Sequence, residues 1–202
     1  MRRARSRICG LAFALAAALS GCTSPLSQFY TLAATARPEA GASPASYVVA
    51  VDSVGLPGTV DRPQFVVQKG PNRVAFDESN RWAAPLATNI ARTVADNLVV
   101  LLGTPQVVSG PLAPSFKPAS RVTVDIQRFE SVPGEAATFD ALWQVRRVGA
   151  DADADAGATI GRTTLREPVQ GEGFDALAAA HSRAIAGMSR DIAAAIRAEA
   201  GR

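Results

Sequence analysis

Cysteine and histidine are nearly missing from this sequence, and each absence removes a class of chemistry. The 202 residues hold two cysteines, Cys9 and Cys22, and one histidine, His181. Cys9 lies in an N-terminal leader and departs with it, and Cys22 is spent on an acyl anchor, as argued below. No thiol then remains for a disulfide, a metal cluster or a nucleophile, so an exported fold must rest on its core alone. A His-based metal site is excluded by count, and a catalytic triad would depend wholly on His181. The chain has no G-x-S-x-G elbow and no phosphate-binding glycine loop. Its carboxylates are scattered over predicted loops and wet faces, with no spacing that forces a pair together. No catalytic residue, no metal site and no cofactor is expected, and the chain reads as a non-enzyme.

Excess charge is missing too. Of the 21 Lys+Arg, four (Arg2, Arg3, Arg5 and Arg7) fall in the leader, leaving 17 against 18 Asp+Glu and a net charge of −1. A nucleic-acid partner therefore has no electrostatic support. Long apolar runs are equally scarce. Ile8 to Leu19 spans twelve residues, short of the about 20 that a permanent membrane helix needs.

What that short run does fit is a secretion signal over residues 1–21: a basic head, an apolar stretch, then Leu19-Ser20-Gly21-Cys22. The last four residues resemble a lipobox, in which small residues precede the Cys that receives the lipid. Cys22 is thus the expected lipid-carrying first residue of the mature chain. Each buried acyl methylene contributes about 0.8 kcal/mol, so two or more chains anchor stably. Residue 23 is Thr rather than the Asp of inner-membrane retention, and by resemblance to that sorting rule the expected site is the outer membrane, facing the periplasm.

Residues 22–46 read as the lipidated Cys and a flexible tether, with a β-prone island at Phe29–Leu32 and a Pro, Gly and Ser-rich connector after it. The folded body is expected over 47–202 as a single domain. Short strands precede a helix predicted from Trp82 to Leu102, whose apolar stripe is Trp82, Leu86, Ile90, Val94, Leu98 and Leu102. Asn89, Arg92 and Asp96 fall off that stripe, and Gly103 is the expected cap. Residues 120–166 alternate apolar and polar as an antiparallel meander, with Trp143 on the apolar face. A last helix is predicted from about Gly173 to Ala198, with His181 in its apolar stripe. The fold class that follows is α+β: a mixed or antiparallel sheet with two long amphipathic helices packed on one face. Trp82, Leu86, Ile90 and Trp143 are the expected core markers.

Three features invite a functional reading. Asp151, Asp153 and Asp155 hint at a calcium loop, but the positions needing Gly and Glu are Ala156 and Arg162, so a solvated hairpin tip is expected. His181 is expected as a core or interface histidine, with a pH-sensitive contact as the alternative. The segment Leu56, Pro57, then Asp61, Arg62, Pro63 and Gln64 is polar, proline-stiffened and set between two strands. It reads either as a structural turn with Arg62 paired to a carboxylate, or as a partner-binding edge.

That segment, with Phe29-Tyr30-Thr31-Leu32, Arg81-Trp82-Ala83-Ala84-Pro85-Leu86, Asn97-Leu98 and Trp143, resembles the ABC-type transport auxiliary lipoproteins, also called PqiC-like. The likeness spans about 29–198 and departs at Gly58-Thr59-Val60 and at Ala84, where the family often carries an aromatic and an acid. The resemblance implies a non-enzymatic component of an MCE-type system that moves lipids or other hydrophobic molecules between membranes. Its implied partners are a periplasmic MCE-domain protein and the inner-membrane transporter behind it, with homo-oligomers a possibility. The outer membrane itself is met through the acyl chains. A competing class is an envelope structural or activator lipoprotein acting on a cell-wall synthase.

Overall fold

A computed structural model describes residues 26–41, 43–111, 116–148 and 158–201. Strand β1 is Gln28–Tyr30, β2 Val49–Gly55, β3 Gln64–Gly70 and β4 Arg73–Trp82. Helix α1 (Leu86–Leu102) follows, then β5 (Val107–Ser109), β6 (Ser120–Val132), β7 (Ala136–Arg147), β8 (Ala158–Pro168) and helix α2 (Gly173–Ala200). The eight strands form one mixed sheet in the order β1-β4-β3-β6-β2-β5, with β7 and β8 extending it from the other edge of β6. It curls into a half-barrel, and both helices pack on one face.

The α+β reading holds, and its physical basis is the alternation seen in the sequence. Val122, Val124 and Ile126 of β6 lie opposite Val145, Trp143 and Ala141 of β7 in an antiparallel ladder, with Phe139 opposite Phe129 further along, and all are buried. The helices close the other side of this core with Leu86, Ile90, Val94 and Leu98 from α1 and Leu177, Ile185, Met188, Ile192 and Ile196 from α2, each at most 1% exposed. A register shift between Ile126 and Arg128 marks a bulge in β6. The bulge changes the phase of the strand, so that Phe129 and Ser131 face inward beyond it.

Two boundaries differ from the sequence expectation. The first helix begins at Leu86, not Trp82: Trp82 is the last residue of β4, paired with Tyr30 and hydrogen-bonded through its N–H to Pro63 O. Pro85 causes this, since it disfavours helical backbone in the residue before it; it sits at the N-cap with ψ 128°. Trp82 remains core at 5% exposure, stacked on Phe65 with centroids 4.1 Å apart.

The second difference concerns the lead expected as flexible tether. Gln28–Tyr30 is a strand pairing parallel to β4, and Leu32 is buried. Downstream, Ala45 N–H donates to Leu102 O and Glu39 pairs with Arg197. The fold therefore starts well before Tyr47, because backbone groups of the lead find partners on both helices. At its far end α1 stops as expected, on Gly103 in the left-handed conformation (φ 65°), with the Gly103 N–H bonded to Val99 O.

Candidate partner-docking site

The Leu56–Gln64 segment is a fixed loop. Pro57 O accepts from Val60 N–H at 2.9 Å and Asp61 N–H at 3.2 Å, and Val60 O accepts from Arg62 N–H at 2.8 Å. Pro57 and Pro63 carry locked φ angles, which removes freedom that a loop would otherwise retain. From beneath, Val60 is buried in the core and Leu56 packs half-buried against it. Asp61 and Pro63 are exposed on top. Gln64 begins β3 and reaches Glu78 with its amide.

Arg62 does not find the carboxylate expected of a structural turn. Among the described residues no ion pair includes it. Its guanidinium instead lies over the Phe76 ring, with Cζ 4.0 Å from the centroid. A cation over an exposed ring contributes roughly 0.5–1 kcal/mol, enough to hold the fork in place and too little to hold the fold.

Below the loop lies a groove of about 260 Å³, with Pro57, Thr59, Val60, Gln68 and Phe129 in its lining. It exists because two strands share one edge of β6. Strand β2 pairs with β6 up to Asp125, and β3 takes over at Ser131. Among the described residues no strand pairs on that edge with the intervening stretch, which includes the bulge. Gln68 Oε1 is buried here without a hydrogen-bond partner.

His181 sits behind the groove, fully buried. Its Nε2 is 2.8 Å from Ser131 Oγ, and its ring stacks on Phe129 with centroids 3.8 Å apart and planes within 5°. Among the described residues its Nδ1 has no hydrogen-bond partner. Burial pushes the imidazole pKa down to about 3, so the ring is neutral near pH 7 and touches no solvent. A core histidine is what the structure shows.

The polar residues that sequence periodicity passed over are Asn89 and Asn97. Both are buried on α1. Asn97 Oδ1 accepts from Thr35 N–H at 3.0 Å and Ala36 N–H at 2.9 Å; Asn89 Oδ1 accepts from Thr31 Oγ1 at 3.2 Å and Leu32 N–H at 3.4 Å. Ser182 on α2 takes Ala33 N–H at 3.1 Å. The lead thus lies pinned across both helices. The available signal was the row Asn89, Thr93 and Asn97, spaced four residues apart beside the apolar stripe, and all three are buried.

Trp82, Leu86, Ile90 and Trp143 are all buried. Cys22, the leader and the Asp151, Asp153 and Asp155 tip lie outside the described residues. Among those described, no group of three or more His, Cys, Asp or Glu side chains is placed to hold a metal ion, and no helix is long and apolar enough to cross a membrane.

Comparison with solved structures shows how widely this arrangement recurs. An uncharacterized protein shares it with a TM-score of 0.66 at 20% identity, over 85% of this chain and 99% of that one. A Xanthomonas campestris protein does so with a TM-score of 0.67 at 14% identity, over 87% and 100%. At such identities the likeness shows the fold alone. No curated protein matches the sequence. The family model for the ABC-type transport auxiliary lipoprotein component matches residues 30–193, from the last residue of β1 to Ala193 within α2. With the pinned lead, the stiff loop, α1 and most of α2 inside that span, the chain belongs to the ABC-type transport auxiliary lipoprotein family.

Proposed function

We propose that this protein is the outer-membrane end of an MCE-type intermembrane transport system, a non-enzymatic dock for the periplasmic MCE-domain assembly. Anchoring is through Cys22, and docking involves the Leu56–Gln64 loop. The observation that carries this is the loop's construction: three backbone bonds and two prolines hold it rigid while Asp61 and Pro63 stay exposed. A surface already ordered before binding loses little entropy on binding. The lone histidine is neutral and sealed in the core, which suits a dock and leaves general-base chemistry without its usual agent.

Paired measurements of stability and affinity test it. Asp61→Lys leaves the folded body intact, since the side chain is exposed, and should weaken binding to the purified MCE protein. Arg62→Ala should lower stability by no more than the ring contact is worth while weakening binding by about 1–3 kcal/mol, the range for a hydrogen bond to a charged group. Unchanged affinity in both folded variants would remove this loop from the interface. Anchoring is checked separately: Cys22→Ser should abolish palmitate labelling and move the chain out of the membrane fraction.

A further inference from the structure

We infer that the β3–β4 hairpin, with Lys69 and Arg73 at its tip and Val74 and Phe76 just beyond, is the surface that meets the phospholipid headgroups of the anchoring leaflet. The inference rests on the reading of Cys22 as the lipidated residue.

Chain direction comes first. Strand β1 runs parallel to β4, with Gln28 opposite Asn80. The chain upstream of Gln28 therefore enters from the side on which β4 begins. Cys22 lies six positions before Gln28, as Val74 lies six before Asn80. At no more than 3.3–3.6 Å per residue, the acylated end reaches about 20 Å from Gln28. That reach extends level with the start of β4, beside the hairpin tip, and not far past it.

The opposite end of the sheet is out of range. Strand β6 has 13 residues, about 40 Å at the usual rise. Ser131, near its C-terminal end, pairs with Val67 of β3. Ser120, at its start, pairs with Arg147. The hairpin tip and Arg147 are thus at opposite ends of the body, and the anchor can hold only the first against the membrane.

The hairpin's side chains suit that position. Among the described residues no ion pair includes Lys69 or Arg73, and Arg73 Nη2 donates only to Lys69 O at 3.3 Å. Val74 is 39% exposed and Phe76 45%, and next to the anchor Phe29 is 66% and Leu26 87% exposed. Unpaired cations beside exposed apolar side chains match the interface of a membrane containing anionic lipid, where cations meet headgroup phosphates and apolar groups rest at the acyl boundary.

The test uses the mature lipidated chain, whose acylated Cys22 leaves no other thiol. Fluorophores are attached at Asn72→Cys, on the tip, or at Arg147→Cys, at the far end, in vesicles of phosphatidylethanolamine and phosphatidylglycerol carrying headgroup-quencher lipid. Severalfold stronger quenching at residue 72 than at 147 is expected. Lys69→Glu with Arg73→Glu should remove most of that quenching while the protein still sediments with the vesicles. Equal quenching at both sites in vesicle-bound protein overturns the orientation and leaves the anchor standing. A tip that quenches poorly yet becomes shielded from aqueous iodide on adding MCE protein assigns the hairpin to a protein partner instead, and also overturns it. Wild-type protein that carries no palmitate and does not sediment overturns the anchor, and this inference with it.

Discussion

The indole of Trp143 lies against Gly161, its partner across the β7–β8 ladder, so closely that a Cβ on residue 161 would overlap Cζ2, Cη2 and Cε2 of the ring. The ring is then locked by a relay: its Nε1–H donates to Thr163 Oγ1 at 3.0 Å, and that hydroxyl donates to Asp191 of α2 at 2.5 Å. One bare residue lets two strands and a helix share a hydrogen-bonded corner. Gly161→Ala should therefore destabilise by about 1–3 kcal/mol through overpacking, with red-shifted Trp fluorescence as the ring is displaced. A denaturant midpoint equal to wild type would show that the ring is free to move aside.

Trp82→Ala removes a buried ring stacked on Phe65 and flanked by Phe129. The expected cost is about 3–5 kcal/mol, a large part of a typical 5–15 kcal/mol margin. Urea unfolding reads it directly. A loss under 1 kcal/mol would mean that the neighbouring aromatics collapse into the space.

His181 makes stability pH-dependent in a definite direction. Its pKa is about 3 folded and about 6.5 unfolded. Between those values the unfolded chain binds the extra proton, so stability is full above pH 6.5 and falls as pH drops through the window. At pH 5 the loss from this group is on the order of 2 kcal/mol relative to neutral pH. His181→Phe keeps a ring over Phe129 and has nothing to titrate. Its unfolding free energy should change less between pH 7 and pH 5 than that of wild type, and an equal change would place the acid sensitivity elsewhere.

Asn97→Ala leaves the N–H groups of Thr35 and Ala36 without their acceptor. Each such loss costs about 1–3 kcal/mol if the group stays buried, so the lead should lift off the helices instead. Limited proteolysis should then cut between residues 31 and 46 several times faster than in wild type, with the body intact. An unchanged cleavage rate would mean that Asn89 and Ser182 suffice to hold the segment.

The sequence by itself determined the two long helices, the meander and the family, and it carries the expectation of a leader ending in a lipobox. These are carried by local pattern: a period of 3.6 or 2, a charge step, and a few motifs in fixed order. It also placed Trp82, Leu86, Ile90 and Trp143 inside, since large apolar residues on a periodic stripe have nowhere else to go. What only the tertiary structure decided depends on contacts between residues distant in the chain. The stretch 31–36 looks like linker until Asn89, Asn97 and Ser182 supply acceptors from two helices. Trp82 looks helical until Tyr30 and Pro63 claim its backbone for the sheet. Arg62 found an aromatic ring rather than a carboxylate: its guanidinium lies over Phe76 of β4, a contact between residues 14 apart in the chain. The phase slip at Gln127 is set by how β6 must bend, and that bend turned Phe129 and Ser131 inward to meet His181.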